Sequence, residues 1–336
     1  MLYDSKRLLV NEVPTPVLQE NEVLVKIKAT AICGTDVSIY KGDIIPKLYP
    51  VIQGHESAGI IAELGTSVTG LAKGNPVIIN PAYFCAECFY CQRELYNLCS
   101  SGGLLGRDCD GTFAEYAAVP AQGIIKLPEN ISFEDASTLQ ALATALRGWD
   151  RIDGVRPVGP EDTVAVIGLG APGLLFTRLA VLAGAQVFSC GRTQYKLDIA
   201  QNYGGIPVNP NESDLKTLIL DATEGRGADI VIESAGNAHT FGQALDVARP
   251  GASVLAFGIH RVIYDAYDFY FKELTVLGTR AMNNAGYHRA VALYNEGALD
   301  LSPMITHRFT LDELQDNFEK LDKEPGTHLR MVCQIT

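Results

Sequence analysis

Thr163-Val164-Ala165-Val166-Ile167-Gly168-Leu169-Gly170-Ala171-Pro172-Gly173 is the stretch that decides how this chain is read. Thr163 to Ile167 is an apolar run rich in β-branched residues, which predicts a strand buried on both faces, as a parallel sheet requires. Glycines follow at 168, 170 and 173, and an apolar helical run continues through Ala183. As a bare string Gly168-x-Gly170-x-x-Gly173 is weak. Placed between a strand and a helix it is the dinucleotide fingerprint, whose glycines let the backbone approach a pyrophosphate on the helix N-terminus. The alternative is a tight turn of the same shape with no ligand.

Working outward, Ala185 to Ser189, Ile230 to Ile232, Ser253 to Phe257 and Leu274 to Leu277 are further short apolar runs with helical stretches between them. That alternation predicts a parallel α/β sheet. The end of the second strand reports on the cofactor, because an acid there would bind the 2′-hydroxyl of NAD. Here Val187-Phe188-Ser189-Cys190 leads into Gly191-Arg192-Thr193, with no acid. A carboxylate would repel a 2′-phosphate, whereas a guanidinium holds it with two hydrogen bonds, so NADP is favoured over NAD. The alternative is that Arg192 stacks on the adenine or faces solvent.

The first part of the chain has a different texture. Residues 8 to 32 alternate in strand fashion, and Ser57 to Leu64, Pro76 to Ile79 and Gly111 to Val119 are further short strands, a spacing that suggests a small antiparallel barrel or sandwich. Phe133-Glu134-Asp135-Ala136 opens a long helix with Ser132 as its N-cap. Beyond residue 288 the chain turns polar and helical again. Among these elements lie Cys33-Gly34-Thr35-Asp36 and Gly54-His55-Glu56. A thiolate, an imidazole and a carboxylate in glycine-flanked turns after apolar strands make a donor set suited to zinc, and a catalytic zinc keeps one position open.

Cys85-x2-Cys88-x2-Cys91-x7-Cys99 is the strongest single signal. Four thiolates at such spacings can surround a zinc ion tetrahedrally within one irregular loop, leaving no position for substrate. An iron–sulfur cluster is the rival, but its ferredoxin-type spacings differ. The remaining cysteines, Cys33, Cys109, Cys190 and Cys333, are scattered. Clustered cysteines in a long chain without a signal segment point to metal rather than to disulfides.

Composition narrows the classes. At 336 residues the chain is too long for one comfortable core, and 47% hydrophobic with 20% charged residues is the balance of an ordinary globular protein. A formal charge of −12 with no basic run excludes nucleic acid and anionic membrane as partners. No apolar window is long enough to span a bilayer. The polar start Met1-Leu2-Tyr3-Asp4-Ser5-Lys6-Arg7 leads us to expect a cytoplasmic enzyme.

Taken together, Cys33 to Asp36, Gly54 to Glu56, the four cysteines, Asp110-Gly111-Thr112-Phe113-Ala114-Glu115-Tyr116, the Gly168 fingerprint and Ile305-Thr306-His307-Arg308-Phe309 resemble the zinc-containing medium-chain dehydrogenase/reductase superfamily nearly end to end. The sorbitol, threonine and glucose dehydrogenase branches are closer than the ethanol branch. The resemblance implies a GroES-like β-rich catalytic domain (1–150, with a structural zinc lobe at 80–105), a Rossmann domain (151–287) and a return to the catalytic domain (288–336), with the active-site cleft between the domains. It implies that Cys33 and His55 hold a catalytic zinc with Glu56 as an alternating ligand, that Thr35 passes on the alcohol proton, and that Asp36 orients His55.

The resemblance also places Gln140, a neutral amide used likewise in a glucose-oxidising branch, where the usual third ligand is Cys or Glu; alternatively Gln140 does not touch the metal and the zinc is held loosely or lost. Ser38 replaces a common relay histidine and can pass a proton through water without holding one. Thr144, Lys196 and Gly258 join Gly168, Gly170, Gly173, Gly191, Arg192 and Thr193 as the cofactor set. The expected activity is hydride transfer between a secondary alcohol, such as a small polyol or sugar, and its ketone, with two zinc ions per chain. A homodimer or homotetramer is expected. The alternatives are a zinc-independent reductase of the same superfamily and a non-catalytic NADP-binding sensor. His239, His260, His288, His307 and His328 carry no motif of their own.

Overall fold

A computed structural model describes residues 1–259, 266–324 and 326–336; His260 lies outside them. The chain divides into two compact units, Met1–Ala143 with Ala281–Thr336, and Thr144–Arg280. The boundary falls within the helix Phe133–Asp153, which is a single continuous element. Ser132 caps that helix as expected, its Oγ accepting the Asp135 N–H at 3.1 Å.

The first unit is built on a seven-stranded sheet. Its path runs Ile305–Thr310, Arg330–Gln334, Glu22–Ala31, Glu56–Leu64, Pro76–Ile79 and Ile124–Lys126, with Tyr116–Pro120 also pairing to Glu22–Ala31. All pairs are antiparallel except the first, Ile305–Thr310 beside Arg330–Gln334. Two expectations shift here. Residues 9 to 21 carry no regular secondary structure, so the strand starts at Glu22, and Gly111 to Glu115 precede their strand rather than belong to it. The tail beyond residue 288 supplies two strands as well as helices. Its polar residues hid the short apolar run Met331-Val332-Cys333, which is fully buried beside Ala31 and Thr30.

The core of this unit joins Val23, Val25 and Ile27 to Val77, Ile79, Phe113, Phe318 and Cys333. On the Ala29 and Ala31 side a small second cluster holds Ile305 and Val332. Apolar burial of this kind is the main stabilising term of the sheet.

The second unit is a six-stranded, all-parallel sheet in the order Ile206–Val208, Gln186–Cys190, Thr163–Ile167, Ala228–Glu233, Ala248–Ala256, Thr275–Gly278. Numbered by sequence that order is 3-2-1-4-5-6, the doubly wound arrangement of dinucleotide-binding domains. All five residues of Thr163–Ile167 and all six of Ala228–Glu233 are buried, the pattern of strands covered by helices on both faces. Ile206–Val208 escaped sequence reading because three residues containing a proline carry almost no periodic signal. Among the described residues no helix is long and apolar enough to cross a membrane.

Candidate metal centres and cofactor cradle

Cys33 ends the linker after the strand Glu22–Ala31 and stands at the N-cap of the helix Gly34–Lys41. His55 and Glu56 stand where the neighbouring strand, Glu56–Leu64, begins. Because those strands pair antiparallel, with Ala31 opposite Glu56, the two sequence motifs meet at one end of the sheet. The Cys33 Sγ, a His55 ring nitrogen and a Glu56 carboxylate oxygen all lie within 4.8 Å of one another.

Asp36 ties the cluster together. It is fully buried, and its carboxylate accepts from the Cys33 N–H at 3.0 Å and the Gly54 N–H at 3.2 Å, with His55 Nδ1 at 3.1 Å. Its carbonyl accepts from Gln53 Nε2 at 3.0 Å. Engaging Nδ1 leaves Nε2 as the ring nitrogen free to bind a metal. Burial pushes the His55 imidazole down, but the charges of Asp36 and Cys33 outweigh it and carry the ring up to about 10. Desolvation pushes the half-buried Cys33 thiol up, but the neighbouring His55 ring outweighs it and holds the thiol below its ordinary range.

One residue was missed from sequence. Arg330, at the start of the strand Arg330–Gln334, is 4% exposed and forms an ion pair with Glu56, itself 2% exposed. Burial lowers its guanidinium, while Cys33 and Asp36 raise it. A signal existed: an arginine leading an apolar strand run is rarely buried unless paired. Thr35 and Ser38 are half-buried on the Gly34–Lys41 helix, one turn apart and so on the same face. Gln140 is buried on the Phe133–Asp153 helix in the same unit.

The lobe carrying Cys85, Cys88, Cys91 and Cys99 hangs from a two-stranded ribbon, Ala82–Tyr83 with Gly103–Leu104. Its backbone is irregular: Ala86 and Glu94 both have positive φ, and two short 3-10 turns follow. All four cysteines are free thiols. Their sulfurs are separated by 3.4 Å (Cys85–Cys99), 3.6 Å (Cys88–Cys91), 3.8 Å (Cys88–Cys99) and 4.0 Å (Cys85–Cys91). A tetrahedron with Zn–S bonds of about 2.3 Å has edges of about 3.8 Å, so the donor set fits zinc. Among the described residues these two are the groups with metal-ligand geometry.

In the second unit Gly168 follows its strand with φ +98°, a conformation open to glycine, and a Cβ there would lie 2.7 Å from the Ala235 nitrogen. At Gly173 a Cβ would lie 1.9 Å from the Gly168 carbonyl oxygen, so only glycine lets the helix Ala171–Leu182 start this close to the strand. Gly170 caps that helix without a side-chain bond, leaving its first N–H groups for an anion. Gly191 packs against Leu169 and Gly258 against Gly236, so both line the same strand ends.

Arg192 is exposed, and Thr193 is the N-cap of the helix Gln194–Asn202 with no side-chain bond to it. Lys196 is buried on that helix, and burial lowers its ammonium. Thr144 is half-buried where the second unit begins. Glu233 is a further residue missed from sequence. Its Oε1 accepts from the Ala235 N–H at 2.9 Å, the Gly236 N–H at 2.8 Å and the Thr240 hydroxyl at 2.7 Å, and its carbonyl accepts from Phe257 and Gly258.

Family models place the same two parts. Residues 19–129 match the alcohol dehydrogenase GroES-like domain, and residues 172–296 match the zinc-binding dehydrogenase domain. The chain is 33% identical over 320 residues to L-threonine 3-dehydrogenase of Bacillus subtilis (strain 168), covering 93% of this chain and 91% of that protein. It is 32% identical over 311 residues to the sorbitol dehydrogenase of Halalkalibacterium halodurans, covering 90% and 89%. A zinc-binding dehydrogenase from Sinorhizobium meliloti 1021, solved bound to NADP, superposes with a TM-score of 0.89 at 31% identity, covering 99% of this chain and 97% of that one. The chain therefore belongs to the zinc-binding dehydrogenases, enzymes that move a hydride between an alcohol or polyol and a nicotinamide cofactor.

Proposed function

We propose that this enzyme interconverts small polyhydroxylated secondary alcohols and their ketones with NADP, and that each chain carries two zinc ions. The carrying observation is the convergence of Cys33, His55 and Glu56 around one point, with Asp36 fixing the imidazole. Cys33 and His55 hold the catalytic ion, Gln140 or Glu56 completes its shell, and the four-cysteine lobe holds the second. A zinc bound there supplies a Lewis acid that lowers the pKa of a coordinated hydroxyl, and the nicotinamide supplies the hydride acceptor.

The remaining roles fall to side chains. Thr35 accepts the hydroxyl proton, and Ser38, one helical turn on, passes it towards solvent. Asp36 holds His55 in one tautomer. Arg330 keeps the Glu56 carboxylate occupied, so Glu56 reaches the metal only when that pair opens. The cradle of Gly168, Gly170 and Gly173 takes the pyrophosphate, and Arg192, exposed and with no acid in the strand end 187–193, takes the 2′-phosphate. A polyol-type substrate is supported by relatives named for sorbitol and threonine.

Copies of the chain associate through the exposed edge strand Thr275–Gly278 and its apolar neighbours Tyr267, Tyr270 and Phe271. The light-scattering mass of Val276→Lys should fall to that of one chain; an unchanged oligomer mass would rule this edge out.

The deciding experiment is a panel of polyols, sugars and amino alcohols run with both cofactors on wild type and Arg192→Ala. Wild type should turn over polyols with NADP. Arg192→Ala should weaken NADP by roughly tenfold or more, the worth of a charge-assisted contact, and leave NAD nearly unchanged. Equal losses for both cofactors would show that Arg192 does not read the phosphate.

A further inference from the structure

Tyr287 stands in the first turn of the helix Asn284–Asn295, which Asn283 caps by accepting the Gly286 N–H at 2.8 Å. A Cβ on Gly286 would lie 3.1 Å from the Ala143 carbonyl oxygen, so this helix start is pressed against the Phe133–Asp153 helix one turn beyond Gln140. The Tyr287 side chain is 0% exposed, and among the described residues its hydroxyl has no hydrogen-bond partner. Phenylalanine would fill the same volume without stranding a polar atom, whereas buried tyrosine hydroxyls are normally paired. Burial, and then the charge of Cys33, raise this phenol well above the ordinary tyrosine range, so the hydroxyl lies within electrostatic reach of Cys33.

We propose that Tyr287 is a specificity-determining residue whose hydroxyl bonds a second hydroxyl or an amine of the substrate while the reacting carbinol oxygen sits at the Cys33–His55 corner. The proposal rests on the alcohol dehydrogenase reading of that corner and names the substrates it selects: vicinal diols, hydroxy ketones and amino alcohols over simple secondary alcohols. The logic is that of any site built to pair a substrate hydroxyl. An analogue lacking the group leaves the protein's own buried hydroxyl stranded and is rejected for that reason.

The test compares 1,2-propanediol with 2-propanol on wild type and Tyr287→Phe, a change that keeps the ring. Two readouts are taken: kcat/KM on the zinc-loaded enzyme, and binding followed through the visible absorption band of the cobalt-substituted chain, which does not depend on turnover. We expect Tyr287→Phe to weaken the diol roughly 10–100-fold in both readouts and to change 2-propanol less than about threefold. Parallel losses for both alcohols would reduce Tyr287 to packing and overturn the proposal, as would no change for either. A chain that oxidises neither alcohol, yet whose cobalt band shifts with the diol in wild type and not in Tyr287→Phe, would remove the activity and uphold the binding role.

Discussion

The four-cysteine lobe and the Cys33–His55–Glu56 cluster lie in the same unit but are held in opposite ways. In the lobe the cysteines ride on an irregular loop with two residues at positive φ, and their four sulfurs all lie within 4.8 Å of one another. At the other cluster the ligands sit at a helix cap and a strand start, and a buried carboxylate orients them. The difference teaches where the order comes from. On the reading proposed above, a metal in the lobe would cross-link an irregular loop, whereas at Cys33 the fold supplies the geometry and a metal would supply the chemistry.

The largest effect expected from this contrast is on turnover. Cys33→Ser should lower kcat by at least about a thousandfold, about 4 kcal/mol of barrier, in a chain whose thermal unfolding is little changed. Near-normal turnover after dialysis against chelator would remove Cys33 from the metal. Cys91→Ser should do the reverse. It should lose the lobe's zinc and cost on the order of 4 kcal/mol of stability, read as a lowered Tm with one zinc fewer per chain. If activity vanished while Tm held, the two clusters would have exchanged roles.

Arg330→Leu tests whether the fold alone holds the catalytic cluster. Removing one partner of a buried ion pair costs about 3–5 kcal/mol when the other is left charged. The loss seen by denaturant unfolding should shrink when zinc is added, because the released Glu56 gains a cation to bind. A loss unaffected by zinc would mean that Glu56 does not reach the metal site.

Gln140→Glu should have a smaller effect, slowing zinc loss from the Cys33 site during timed chelation while the four-cysteine zinc leaves at its usual rate. It should also move the alkaline-going limb of the pH–rate profile upward, since an anionic ligand makes the bound zinc a weaker acid. If neither changes, Gln140 is not a ligand.

The smallest effect concerns the base of the lobe, where Asp108 accepts from the Leu104 N–H at 2.8 Å and pairs with Arg107 at 2.6 Å. Burial raises this carboxyl, but the Arg107 bond, the Leu104 N–H and the charges of Arg107 and Lys47 hold it below the usual carboxylate range. A depressed acid contributes stability that is present above its unfolded pKa and is lost as pH falls through the folded value. The lobe should therefore loosen as pH drops below about 4, and Asp108→Asn should flatten that limb. An identical acid limb in both proteins would show that Asp108 does not anchor the ribbon.

Much of this was legible from the chain alone, and the reasons are physical. The cysteine spacings, Cys33 to Asp36 and Gly54 to Glu56 are local, so the sequence displays them side by side. The parallel sheet showed through because strands buried on both faces leave unbroken apolar runs. What stayed hidden arrives from far along the chain. Arg330 reaches Glu56 only because Val332 pairs with Ala31 across the sheet, and no local pattern records that register. Tyr287 carried no signal, since a tyrosine in a helix is ordinary until its hydroxyl is found stranded. The first sheet was expected as a barrel or sandwich, and its two C-terminal strands were lost among polar neighbours.

Asp36 couples the two turns of the cluster. One carboxylate fastens the Cys33 turn and the Gly54-His55 turn together, so the thiol and the imidazole are held in place jointly. If Cys33 and His55 hold the catalytic ion as proposed, the folded chain would accept it without rearranging, as a socket accepts a plug. The same economy is a point of failure. A substitution that removes this one acceptor frees both ligands at once, so the socket is lost whole rather than by degrees.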